Sequence, residues 1–72
     1  MPRKRSLIPA APMAEILKQA GAERVSEPAA RVMAEVMMEK AIEIAKDAVR
    51  FAHHANRKTI KKEDIELARK SV

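Results

Sequence analysis

Between Glu27 and His54 the chain runs 28 residues with no glycine and no proline except Pro28 near its start. A helix of that length is about 42 Å long at 1.5 Å per residue. A compact globule of 72 residues has a radius of gyration near 11 Å, hence a diameter of roughly 29 Å. Such a helix either projects into water or lies against a second chain. The six residues Asn56 to Lys61 that follow carry three cations, Arg57, Lys58 and Lys61. A long rigid element thus ends in a basic loop.

The apolar positions of this segment say which alternative holds. Met33, Met37, Ala41, Ile44, Ala48 and Phe51 form one helical stripe, and Ala30, Ala34, Met38, Ile42, Ala45, Val49 and Ala52 form a second beside it. Two adjoining stripes make a face wider than one neighbouring helix covers. The opposite face carries Arg31, Glu35, Glu39, Glu43, Asp47, Arg50 and His54. Four of these carboxylates repeat at i, i+4, the pattern of a solvated edge and not of a basic helix lying along DNA.

Two shorter helices flank the long one. Pro9 and Pro12 open the first, where proline is tolerated, and Met13, Ile16, Leu17 and Ala20 form its stripe. Gly21 ends it in a left-handed conformation. Ser26 is placed to cap the long helix, with Glu27 complementing its dipole. Lys62 to Lys70 reads as the last helix, with Glu63 and Asp64 in its first turn and Arg69-Lys70 in its last. The expected fold class is all-α.

A chain this short normally needs a disulfide, a metal or an oligomer to support its core. It has no cysteine, and neither a phosphate-cradling glycine loop nor a metal-ligand spacing occurs, so no cofactor is expected. The remaining support is a second copy. No serine–histidine or paired-carboxylate constellation assembles, which argues against an enzyme. The formal charge is +5, distributed as +3 over residues 1–24, −1 over 25–54 and +3 over 55–72. A polyanion such as nucleic acid is the expected partner. No apolar run approaches the roughly 20 residues of a membrane span, and the expected place is the cytoplasm or, in a nucleated cell, the nucleus.

The cations stand in three places. Arg3-Lys4-Arg5 lies in a short basic arm, residues 1–7, ahead of the domain at 8–72. Arg24 stands in the first loop. Arg57, Lys58 and Lys61 stand in the second, with the Thr59 hydroxyl. Cations, hydroxyls and helix N-termini hold phosphates and supply position without reading bases.

The segments Ala20-Gly21-Ala22-Glu23-Arg24-Val25-Ser26 and His54-Ala55-Asn56-Arg57-Lys58-Thr59-Ile60-Lys61-Lys62-Glu63-Asp64-Ile65-Glu66-Leu67-Ala68 resemble the two loop regions of archaeal histones. The second is also similar to the matching part of a eukaryotic core histone. The resemblance implies a histone fold, with two chains clasped as a handshake dimer and each first loop beside the partner's second. It implies binding, wrapping and compaction of double-stranded DNA on the chromosome, with homodimers chaining into higher multimers and pairing with other histones left open. Arg24 would enter the minor groove, while Lys18, Arg57, Lys58, Thr59 and Lys61 would hold phosphates. Arg57 would also pair with Asp64 and clamp the second loop. Phe51, His54 and Asp64 would form the contact between dimers, and Gly21 the point where successive turns stack. Glu15, Asn56 and His53 depart from the family's usual residues, and Glu15 puts a first-helix DNA contact in doubt. The alternative is a histone-fold subunit of a heterodimeric transcription regulator.

Overall fold

The computed structural model describes residues 6–70; the Arg3-Lys4-Arg5 arm lies outside them. Three helices follow in order: α1 (Ala10–Gln19), α2 (Glu27–His54) and α3 (Lys62–Lys70). Among the described residues there is no strand, and the β-favouring pair Thr59-Ile60 is irregular. Two compact units divide the chain, Met1–Glu39 and Lys40–Val72, with the division falling inside α2.

The first unit holds α1 and the first part of α2. It buries Met13, Ala30 and Ala34, the two alanines one turn apart. Ser6 ties the segment ahead of α1 to α2. Its Oγ accepts from the Ile8 N–H at 3.1 Å. The same oxygen lies 3.3 Å from the Ala34 carbonyl and 3.2 Å from that of Ile8. A hydroxyl has one proton, so it donates to one of these carbonyls at a time. Pro9 caps α1 with extended backbone and no side-chain hydrogen bond.

The second unit holds the rest of α2 and α3. It buries Ala48, Ala52, Ala68 and Asp64. Among the described residues five of the six buried apolar ones are alanines, and no large side chain is fully buried. A buried methyl contributes on the order of 0.8 kcal/mol, against about 1.5–3 kcal/mol for a whole leucine or isoleucine side chain. The side chains with most to gain are left partly in water. Met33, Met37, Met38, Ile42, Ile44 and Phe51 are half-buried. Val32 and Leu67 are 51% and 50% exposed, and Val36, Val49 and Ile65 are exposed too. One copy of this chain therefore leaves most of its own hydrophobic capacity unused.

Candidate nucleic-acid interface

Two loops carry the candidate residues, and both are built to one plan. Residues 20–26 separate α1 from α2, and residues 55–61 separate α2 from α3, so the loops are equal in length. Each opens on the same helix-ending turn. After α1, Ala22 N–H donates to the Leu17 carbonyl and Gly21 N–H to that of Lys18, both at 3.0 Å. After α2, Arg57 N–H donates to the Ala52 carbonyl and Asn56 N–H to that of His53, both at 2.9 Å. These are the paired 6→1 and 5→2 bonds of a Schellman motif. The motif needs a positive φ at the residue just after the C-cap, and Gly21 (φ 119°) and Asn56 (φ 57°) supply it. A Cβ at Gly21 would meet nothing within 4 Å, so in the single chain glycine answers a backbone need and not a steric one.

Each loop closes on a satisfied helix start, but by different chemistry. Ser26 Oγ accepts from the Ala29 N–H at 3.2 Å, and its carbonyl takes the Ala30 N–H. This is the N-cap read from the sequence. Lys61 stands in the equivalent place before α3 and has no side-chain acceptor. Instead its backbone N–H donates to Asp64 Oδ2 at 2.9 Å. That is the returning half of a capping box, in which the third helical residue reaches back to the cap.

Asp64 also receives both ends of a guanidinium. Arg57 Nη1 and Nη2 donate to Oδ2 and Oδ1, each at 2.9 Å, and Nη1 reaches the Thr59 carbonyl at 3.2 Å. Asp64 is only 3% exposed, and Arg57 is half-buried. One carboxylate thus holds Arg57, the Lys61 backbone and, through Arg57, the Thr59 backbone. Arg57's hydrogen bonds and the Lys61 N–H bring its pKa down to about 2 from an ordinary 3.8, although burial acts the other way. The same hydrogen bond raises the pKa of Arg57.

The remaining candidates divide by unit. Lys18 and Arg24 belong to the first, Lys18 in the last turn of α1 and Arg24 in the first loop, both exposed. Lys58, Thr59 and Lys61 belong to the second and are exposed on the backbone that Asp64 fixes. Phe51 is half-buried and His54 exposed. With Arg50 and His53 they line an open hollow at the end of α2. Asp64 is committed to its own loop by three hydrogen bonds. Sequence reasoning did not find the Lys61–Asp64 bond, although an acid three residues after a loop's last residue is the signal for it. Nor did it find the Ser6 contact with Ala34, which joins residues 28 apart and leaves no local trace.

Among the described residues, no group of three or more histidines and carboxylates could hold a metal, and no helix is long and apolar enough to cross a membrane. The arrangement offers cations on fixed backbones.

A family model described as histone-like transcription factor (CBF/NF-Y) and archaeal histone matches residues 6–68. The chain is 53% identical over 64 residues to a subunit of the archaeal histone HAN1 of Thermococcus zilligii, a match covering 89% of this chain and 96% of that protein. It is 52% identical over 61 residues to probable archaeal histone 3 of Methanocaldococcus jannaschii, covering 85% of this chain and 91% of that one.

Proposed function

Because the chain belongs to the family of archaeal histones and histone-like transcription factors, we propose that it compacts chromosomal DNA as a homodimer. It is a DNA-binding histone-fold protein and not an enzyme. The finer reading is that dimers wrap double-stranded DNA with little sequence preference and chain along it.

The observation that carries this reading is the pair of loops. The first presents the exposed Arg24 and the second the exposed Lys58 and Lys61, each on a backbone fixed at both ends by helix termini. Arg24 enters the minor groove, and Lys18, Lys58, Thr59 and Lys61 hold neighbouring phosphates. Such contacts give affinity and register but do not read bases. Arg57 works mainly as the clamp, because its guanidinium is already engaged by Asp64 and the Thr59 carbonyl. The second copy covers the half-exposed methionines and isoleucines of α2. Phe51 and His54 make the contact between dimers while Asp64 holds the adjoining loop, and Gly21 stands where successive turns of protein and DNA stack.

Duplex binding measured across salt concentrations tests the reading. The log–log slope is steep, close to 0.9 for each phosphate neutralised, and Arg24→Ala weakens binding on every sequence alike. Affinity that barely changes between low and moderate salt contradicts it. A chain that forms no homodimer and binds DNA only with a different histone-fold partner supports the transcription-regulator alternative instead.

A further inference from the structure

The end of α2 carries a pair of histidines of which neither loop makes use. His53 and His54 are both exposed and stand in the last turn of the helix. Successive residues of a helix point about 100° apart around its axis and do not face each other. Both nevertheless line one open hollow, together with Phe51 and Arg50. Two imidazoles of one chain thus border the same space, beside a half-buried aromatic ring.

The electrostatics of this place favour a cation over an anion. It lies at the negative end of the long helix's dipole. Arg50 lines it too, but its guanidinium is engaged: Nη2 donates to Asp47 Oδ1 at 2.6 Å. That carboxylate offsets the charge that would repel a metal ion. An anion would meet one occupied arginine and an opposing dipole. A divalent ion would meet imidazole, the ligand that suits zinc, copper and nickel.

One chain cannot complete such a site. Among the described residues no group of three or more histidines and carboxylates could hold a metal, and zinc as a rule takes four ligands. A contact between like dimers about a two-fold axis joins a surface patch to its own copy. Two hollows then meet, and His53 and His54 of each supply the ligands together.

We propose that His53 and His54 of two chains hold one divalent ion of the zinc, copper or nickel kind, which locks one dimer to the next. The site rests on the reading above that Phe51 and His54 lie between dimers. It adds to that reading a dependence on available metal: the ion strengthens chaining, and chaining completes the ion's ligand set.

Zinc ion alone, added to the full-length protein in a buffer free of chelators, tests the site. Sedimentation should show the mass rising beyond that of a dimer at about one zinc per two chains, and EDTA should reverse the rise. His53→Gln/His54→Gln should still form the homodimer, both side chains being exposed, and should lose the response to zinc. Zinc that binds without raising the mass is an adventitious ion only and overturns the proposal. A response that survives in the double variant overturns it equally. Chaining on a duplex long enough for several dimers, measured with zinc and with EDTA, separates this site from the reading beneath it. Dimers that chain equally well under both conditions overturn the metal site alone. Dimers that chain under neither overturn the proposed chaining with it.

Discussion

Asp64 is the residue on which the second loop depends. It is buried, it pairs with Arg57 at two points, and it caps α3 through the Lys61 N–H. Neutralising it leaves a half-buried guanidinium without its counter-charge and lets the backbone that carries Lys58 and Lys61 loosen. Its carboxyl titrates at about 2 when folded and at an ordinary 3.8 when free. The unfolded chain therefore takes up a proton first as pH falls, and stability from this group is complete above about 4 and lost on the way down to about 2. Asp64→Asn should lower the denaturation midpoint at neutral pH. It should also flatten the fall in stability between pH 4 and 2 relative to wild type, with protein concentration held constant. Equal acid dependence of the two proteins would remove this role. The substitution should weaken DNA binding as well, because Lys58 and Lys61 then lose their fixed base.

At the scale of elements, the helices are legible in the sequence because their ends are chemically marked. Gly21 and Asn56 supply positive φ where Schellman turns need it, and Ser26 accepts the Ala29 N–H. Ser26→Ala should therefore cost about 1 kcal/mol per chain in denaturation experiments. An unchanged midpoint would mean that packing alone fixes the start of α2. The loops' common plan was not legible, since their residues differ and only the hydrogen bonds repeat. The Arg57–Asp64 clamp was suggested by family resemblance and not by spacing; a separation of seven residues across the irregular stretch 58–61 carries no periodic signal. Ser6 and Ala34 meet across 28 positions, and no periodicity encodes that meeting.

The whole molecule is where the apolar stripes and the burial pattern diverge. The sequence marks Met33, Met37, Ile42, Ile44 and Phe51 as core, yet a single copy leaves all of them half-exposed and buries alanines instead. On the proposed dimer reading the stripes describe a core shared between chains, and one chain fills only the part where small side chains suffice. Stability should then depend on mass action: diluting the protein tenfold should lower its thermal midpoint by several degrees, whereas a self-sufficient monomer would show no shift. The charge pattern follows the same division. In the proposed reading an acid-edged α2 sets the spacing, and the cations of the loops at its ends meet the DNA. Nuclease digestion of the protein–DNA complex tests this account most directly. Dimers that wrap and chain along DNA should leave protected fragments that lengthen in regular steps as protein is added. Protection of one fixed length at every loading, or cleavage without any ladder, would contradict it.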